Sequence, residues 1–370
     1  MNYQNAKKVV LAVLRAGRVP MLLSAPGVGK TSLISAVHVA LAEELNLSPV
    51  LDVLAPESDQ FSLVVMRIGL FQSIDFGGVP VPVEKDGVWR QVRALLENLP
   101  VCGVGLLYLN EYPQGERSTQ ATARQVILEN RIGDYHLPPG WRVVVDGNRQ
   151  QDRAGSTAPL SIVTSSTVQI QIDPDPREWC AWAESAGIRT EVTSWIAWQG
   201  GAPENFLLNF DPRKSEPFTC PRSLHILSDV LSELDELDVP EAVAVETYKG
   251  IVGEAAAEAA NVFFKLYRVT LPCIDEAIKN PLTAELPVGA GVGYVVSAAM
   301  VKRTKIDPSI FANCYHYIER FADGETPEML DFYVRTALAA VGTSGKDPLA
   351  ITSTQVYSDH LDTFRGLYAA

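Results

Sequence analysis

Eight residues near the amino terminus, Ser24–Thr31, combine two glycines, a lysine and a hydroxyl at the spacing that phosphate binding requires. They read SAPGVGKT and lie between an apolar run, Val19–Leu23, and a stretch of helical periodicity. Glycines let backbone N–H groups converge on anionic oxygens, a lysine reaches the β- and γ-phosphates, and a hydroxyl can bind Mg²⁺. The usual pattern begins with glycine, and the small residue Ser24 stands in that place. The segment predicts that the chain binds a nucleoside triphosphate.

Polar residues follow two apolar runs that are predicted to be strands of a parallel sheet. The run Gly105–Leu109 ends in Asn110 and Glu111, and Trp141–Val145 is followed shortly by Asn148. Ligands of such sheets gather at the carboxyl ends of the strands. Glu111 is therefore the candidate that polarises an attacking water, and Asn148 the candidate that binds this water or the γ-phosphate. A surface glutamate and a turn-forming asparagine are the structural alternatives.

A third candidate, Arg222, lies in Cys220–Ser223 at the predicted start of a later helix. A guanidinium there could reach the γ-phosphate and couple the nucleotide state to the angle between two domains. The structural alternative is a solvated arginine at a helix start.

The composition indicates a globular and acidic protein. Of the 370 residues, 47% are hydrophobic and 20% are charged, and the net charge is −13. Because Lys and Arg form no cluster, nucleic acid is disfavoured as the main partner. The five cysteines are scattered without a paired spacing, which predicts reduced thiols and a cytoplasmic protein. No metal other than Mg²⁺ and no membrane association are expected.

The order of elements predicts an α/β domain followed by helices. Apolar strands alternate with helical stretches over residues 1–173, which favours a parallel sheet. Within this region, Val79–Glu84 and Val88–Arg90 flank a favoured hairpin turn at Asp86–Gly87, which predicts an inserted β-hairpin. From residue 174 onward helical periodicity dominates almost to the end.

Taken in chain order, several segments resemble those of the MoxR-type AAA+ ATPases. Besides GVGKT, the segments are IDFGGVP from Ile74, LYLNE from Leu107, LENRIGDY from Leu128, GNRQQDRAG from Gly147, PDPREW from Pro174, and Pro221-Arg222. They span most of the first 240 residues, whereas the C-terminal third matches only in its helical character.

The resemblance implies an AAA+ P-loop domain with a parallel sheet and an inserted β-hairpin, then an all-helical lid over 174–270 and a helical C-terminal extension over 271–370. It implies a hexameric ring or spiral that hydrolyses Mg-ATP at subunit boundaries and remodels a protein partner, such as a von Willebrand A domain protein. By this mapping, Glu111 is the Walker B glutamate, Asn148 is sensor 1 and Arg222 is sensor 2, and the hairpin faces a pore. The expected nucleotide-binding residues are Pro26, Gly27, Val28, Gly29, Lys30, Thr31 and Ser32, and the expected Mg²⁺ residues are Thr31 and Asn110.

Two residues depart from the family pattern. Asn110 stands where the family has an aspartate, and Ser166 stands where it has an arginine that acts on the neighbouring subunit's nucleotide. Such an arginine contributes about 10³- to 10⁵-fold in related phosphoryl transfers, so slow hydrolysis is expected unless another arginine substitutes. The substitutes left open are Arg124, Arg131, Arg149 and Arg153.

These departures keep a second class of function open. In that hypothesis the chain is a nucleotide-bound structural or scaffold oligomer with weak or no hydrolysis. A nucleic-acid motor or loader is a third hypothesis, which draws on analogy of fold alone.

Overall fold

The structure, a computed structural model, describes residues 1–94, 99–133, 135–152, 159–199, 207–270, 274–286, 292–322 and 327–359. The chain folds into two compact units. The first consists of Met1–Asp173 with the short segment Asp211–Ser215, and the second takes the remainder from Pro174 onward. The predicted end of the α/β domain at residue 173 stays a prediction. The predicted division of the helical part at residue 270 stays a prediction.

The first unit is built on a parallel sheet. The strands in the described residues are β1 (Val19–Ser24), β2 (Ser48–Leu51), β3 (Gln60–Arg67), β4 (Val79–Lys85), β5 (Val88–Ala94), β6 (Gly105–Asn110), β7 (Arg131–Ile132), β8 (Tyr135–His136), β9 (Trp141–Asn148) and β10 (Thr167–Gln171). Six of them pair in the order β10-β1-β9-β6-β3-β2, and every pair in this sheet is parallel. The central strands β6 and β9 are buried along almost their whole length, as expected where both faces of a sheet are covered.

Two features of this unit differ from the sequence prediction. Strand β9 extends to Asn148, whereas the apolar run alone predicted its end at Val145. Strand β2 and the small antiparallel hairpin of β7 and β8 were not predicted. Strand β2 lies at the edge of the sheet and is mostly exposed, so its residues lack the apolar run that marks a buried strand.

The helices of the first unit alternate with its strands along the chain. They are α1 (Tyr3–Arg15), α2 (Lys30–Leu45), α3 (Ser73–Gly77), α4 (Arg117–Glu129) and α5 (Ser161–Ser166). Helix α1 buries Ala6, Val10 and Leu14, which are spaced four residues apart and form one face. Helix α2 ends where Asn46 adopts a left-handed conformation with φ 55°, and the Asn46 N–H bonds to carbonyls of the last turn. The helical stretch predicted after the phosphate loop is therefore confirmed.

The inserted β-hairpin is present. Strands β4 and β5 pair antiparallel, with Lys85 opposite Val88. Asp86 and Gly87 make the turn with φ 55° and 72°, as a type I′ hairpin turn requires at both central residues. All residues of β4 are exposed, and Trp89 on β5 exposes 68% of its surface. The hairpin thus presents an apolar surface to solvent.

The second unit is helical throughout its described residues. Its helices are α6 (Pro176–Ser185), α7 (Thr190–Gln199), α8 (Pro221–Glu236), α9 (Glu241–Val252), α10 (Glu254–Thr270), α11 (Ile274–Lys279), α12 (Val292–Ile306), α13 (Phe311–Ala322), α14 (Pro327–Thr343), α15 (Leu349–Thr352) and α16 (Gln355–Asp359). One cluster of buried residues extends from Trp179 on α6 to Val356 on α16. The predicted fold class, a parallel α/β P-loop domain with a β-hairpin followed by helices, is confirmed.

Two further properties concern the described residues alone. No helix there combines the length and the apolar character needed to cross a bilayer. Four of the five cysteines lie in the described ranges and are free thiols; Cys102 is exposed, while Cys180, Cys220 and Cys314 are buried.

His38 on α2 gives the first unit a predicted dependence of stability on pH. The ring is 2% exposed, and Nε2 donates a hydrogen bond of 2.8 Å to the carbonyl of Phe61. Burial lowers the pKa of His38 below its ordinary value of 6.5, although the Phe61 carbonyl opposes this effect. The unfolded chain therefore binds more protons than the folded one below pH 6.5.

We expect the free energy of unfolding to fall as the pH decreases below this value, by up to about 1.4 kcal/mol per pH unit from this residue. Urea unfolding between pH 7.5 and 5.5 should show this slope in the wild type and a smaller slope in His38→Gln. The half-exposed His225 supplies the control, and His225→Gln should keep the wild-type slope. Equal slopes in the wild type and His38→Gln would contradict the assignment.

Candidate functional site

The loop between β1 and α2 has the backbone geometry of an anion site. Gly27 and Gly29 adopt left-handed conformations with φ 76° and 103°, which side chains rarely tolerate. Gly29 is the N-cap of α2, and its carbonyl accepts the N–H of Leu33 at 3.0 Å. The N–H groups of the first helical turn have no acceptor within a helix. Gly29 provides no side-chain cap to this turn, and the positive end of the helix attracts an anion there.

The side chain of Lys30 is held across the end of the sheet. Its Nζ donates to Oδ1 of Asn148 at 2.8 Å and to Oγ of Ser24 at 3.1 Å. Asn148 ends β9 and Ser24 ends β1, and the two residues face each other in the strand register. The structure thus brings together two residues that the sequence placed 118 positions apart. In the sequence pattern Ser24 is only a tolerated substitute for glycine, whereas in the structure its hydroxyl also orients the lysine.

Asn110 and Glu111 lie on the other side of β9, at the end of β6. The Asn110 side chain donates through Nδ2 to the Tyr108 hydroxyl at 2.9 Å and to Oδ1 of Asp146 at 3.0 Å. Glu111 has φ 57°, an uncommon conformation for a residue other than glycine, and its N–H donates to the same Asp146 oxygen at 2.7 Å. The left-handed turn that directs Glu111 is therefore stabilised from the neighbouring strand.

Asp146 is the residue of this site that sequence reasoning missed. It lies two residues before Asn148, so both side chains project from the same face of β9. The side chain is 1% exposed, and burial raises its pKa, while the charge of Lys30 and the hydrogen bonds from Glu111 and Asn110 act in the opposite direction. The alternation of side chains along a strand was the signal that could have identified it.

The donor groups at this site suit a nucleotide with Mg²⁺. Thr31 is exposed in the first turn of α2 and lies close enough to interact with the Tyr108 hydroxyl beside Asn110. Within the described residues, no group of three or more His, Cys, Asp or Glu side chains lies together. Mg²⁺ is commonly held by one or two protein groups together with substrate phosphates and water. A hydroxyl, a carboxylate and a phosphate loop meet that requirement.

The remaining predicted residues divide between the two units. Arg222 is exposed in the first turn of α8, in the second unit, after the N-cap residue Cys220. Ser166 is exposed at the end of α5, directly before β10. Pro26 and Val28 belong to the phosphate loop, and Ser32 is exposed in the first turn of α2.

The arginines considered as substitutes for the missing one have different surroundings. Arg149 is bound within the chain, with Nε 2.9 Å from Asp152 and an NH group 3.0 Å from Asp173, so its guanidinium is already engaged. Arg131 is half exposed and pairs with Glu129. Arg124 is partly buried on α4, and Arg153 lies outside the described residues.

Comparison with known proteins identifies no family for the chain. No protein-family model matches the sequence, and no curated protein is significantly similar to it. Several solved structures are similar at a low level. A mutant of RuvB from Thermotoga maritima has a TM-score of 0.37 and 14% identity, with 89% of this chain and 91% of that chain covered. The ORC2 protein from Aeropyrum pernix, in ADPNP and ADP complexes, has a TM-score of 0.35 and 11% identity, with 93% and 94% covered.

NtrX from Brucella abortus has a TM-score of 0.32 and 13% identity, with 98% of this chain and 67% of that chain covered. TM-scores and sequence identities this low support no inference about function. The function is therefore inferred from the geometry of the site.

Gly147 on β9 packs closely against the turn that follows Glu111, so a side chain added there is predicted to destabilise the protein. A Cβ atom on Gly147 would lie 2.4 Å from Cγ and Cδ of Pro113, in the turn that follows Glu111. We expect Gly147→Ala to lower the free energy of unfolding by about 1–3 kcal/mol, because the turn has to move. Gly250 is the control, since a Cβ there meets nothing within 4 Å in the last turn of α9.

Gly250→Ala should stabilise the protein by about 0.5–1 kcal/mol, the usual difference between these residues inside a helix. Denaturant unfolding of both variants measures the contrast. A Gly147→Ala protein as stable as the wild type would show that the Pro113 turn does not pack as described.

Proposed function

We propose that the chain is an ATPase of the AAA+ type, similar to the MoxR-type ATPases, which hydrolyses Mg-ATP and remodels a protein partner. One observation carries the proposal: α2 begins at Lys30 directly after the glycine loop, and the side chain of Lys30 is oriented by Asn148 from the neighbouring strand. Backbone N–H groups and an oriented ammonium at one point provide the positive field that a triphosphate needs.

The residues around the loop are assigned complementary roles. Lys30 binds the β- and γ-phosphates, and the exposed hydroxyl of Thr31 is directed to Mg²⁺. Glu111 polarises the attacking water, and Asn148 holds the lysine and contacts this water or the γ-phosphate. When bound, Mg²⁺ neutralises charge that develops on the phosphates. Arg222 is proposed to sense the γ-phosphate from the second unit.

Assembly into a hexameric ring or spiral would place the nucleotide at subunit boundaries. An arginine from the neighbouring subunit would then complete the site. Arg149 is already paired with Asp152 and Asp173, and Arg131 with Glu129, which favours Arg124 for this role among the described candidates. The exposed hairpin of β4 and β5, with Trp89 at its surface, is proposed to contact the protein client. A von Willebrand A domain protein is one candidate client, and the cytoplasm is the proposed location.

The site assignment predicts a large effect of Lys30→Ala on nucleotide binding. Removing a charged hydrogen-bonding group should weaken ATP affinity by about 10- to 100-fold, since such bonds contribute about 1.5–3 kcal/mol. Isothermal titration calorimetry with ATP measures this change. Lys8→Ala is the control, because Lys8 is exposed on α1 and should not affect ATP binding. Unchanged affinity in Lys30→Ala would reject the site.

A scaffold oligomer that binds nucleotide but hydrolyses it weakly is the second candidate. It is favoured by Ser166, which is exposed before β10 where the resemblance calls for an arginine. The two candidates share the nucleotide site and differ in turnover.

Glu111→Gln separates the two candidates. If Glu111 activates water, turnover of the assembled protein should fall by about 10²- to 10⁴-fold while ATP binding persists. Phosphate release measures turnover. Glu116→Gln is the control, because Glu116 is exposed at the start of α4 and should keep the wild-type rate. A wild-type rate that is negligible, and unaffected by Glu111→Gln, would favour the scaffold.

A further inference from the structure

Within the described residues, only one of the two carboxylate oxygens of Asp146 accepts hydrogen bonds of normal geometry. Its Oδ1 accepts two hydrogen bonds, from the Glu111 N–H at 2.7 Å and from Asn110 Nδ2 at 3.0 Å. Its Oδ2 is buried and has no hydrogen-bond partner of normal geometry among the residues that the structure describes, although the Tyr108 hydroxyl lies near enough to interact with the carboxylate. Leaving a buried polar atom unsatisfied costs free energy, and charged groups cost more than neutral ones. An unsatisfied oxygen in such a place indicates a group that the protein is built to receive.

The position of Asp146 identifies what that group would be. The carboxylate lies on the central strand β9, and the charge of Lys30 acts on it directly. On its other side are Asn110 and the Tyr108 hydroxyl, which also interacts with Thr31. Burial and the Asp146 charge keep the pKa of Tyr108 well above its usual range, so the phenol stays protonated. The environment combines a phosphate-binding lysine, a threonine hydroxyl and a carboxylate, which suits a hard divalent cation.

The identity of residue 110 follows from this arrangement. Asn110 Nδ2 donates to Asp146 Oδ1 at 3.0 Å. An aspartate at residue 110 would put a second, partly buried carboxylate at this distance from the buried Asp146, and two like charges so close repel each other. An asparagine instead supplies a donor and fixes the rotation of the Asp146 carboxylate. The amide at residue 110 and the carboxylate at residue 146 are therefore complementary.

We propose that Asp146, on β9, supplies the carboxylate that positions Mg²⁺ with the nucleotide, while Asn110 orients it from the end of β6. The carboxylate of the metal site is thus contributed by the strand next to the one on which the family resemblance places it. This inference rests on the proposed function, because it requires that the site bind Mg-ATP.

The rival explanation is that Asp146 only stabilises the turn at Glu111. That role uses Oδ1 alone, and an asparagine also has an Oδ1 that can accept the Glu111 N–H. Asp146→Asn therefore preserves the structural role while it removes the negative charge. The readout that separates the two explanations is the dependence of ATP affinity on Mg²⁺, because a merely structural residue would not change it.

The experiment measures binding of a fluorescent ATP analogue to the full chain, in Mg²⁺ and in EDTA. In Asp146→Asn, affinity in Mg²⁺ should fall by about 10- to 100-fold, and affinity in EDTA should not fall. In the exchanged double variant, Asn110→Asp with Asp146→Asn, the carboxylate moves to β6 and the Mg²⁺ dependence should return. Glu184→Gln is the control, since Glu184 is a buried carboxyl group of the second unit bound by Thr193.

The outcomes distinguish the two levels of the proposal. Wild-type protein that binds no ATP, or binds it independently of Lys30, overturns the proposed function. Lys30-dependent binding whose Mg²⁺ dependence survives in folded Asp146→Asn overturns the role of Asp146 alone. If Asp146→Asn does not fold, as judged by circular dichroism, the double variant decides, because a folded double variant without Mg²⁺ dependence also overturns that role.

Discussion

The register of three neighbouring parallel strands determines the site. Strand β9 lies between β1 and β6, with Ser24 opposite Asn148 and Leu109 opposite Val145. Because side chains alternate along a strand, this register projects Asp146 and Asn148 on one face between the two loops that follow β1 and β6. A shift of one residue would turn Asp146 and Asn148 to the opposite face of the sheet. Asn148 would then be separated from Lys30. The buried apolar cores of β6 and β9 prevent such a shift.

The polar contacts of the site form a chain across this register. Ser24 and Asn148 hold Lys30, while Asp146 holds Asn110 and the backbone of Glu111. Asn148 and Asp146 both lie on β9 and contact residues that follow or end β1 and β6, so the phosphate loop and the turn of Glu111 are positioned by the same central strand. Such cross-strand hydrogen bonds fix side chains before any ligand binds, and preorganised groups stabilise developing charge without the cost of reorientation.

Much of this organisation could be predicted from the sequence, and the reason is local. The glycines and lysine of Ser24–Thr31 specify the loop by conformation and charge, and Asp86–Gly87 specifies the hairpin turn by its positive φ angles. Strand β2 and the hairpin of β7 and β8 could not be predicted in this way. They are short, and they are stabilised by pairing with neighbours rather than by an apolar run of their own.

The sequence by itself determined the phosphate loop, the alternation of strands and helices, and the candidates Glu111 and Asn148, because these depend on residue types at short spacing. Only the tertiary structure decided that Asp146 lies beside Asn110 and that Ser24 and Asn148 orient Lys30. Asp146 and Asn110 are 36 residues apart in the chain, and no short-range pattern connects them. Their contact exists because β6 and β9 become neighbours in a parallel sheet, and strand order is a property of the folded chain.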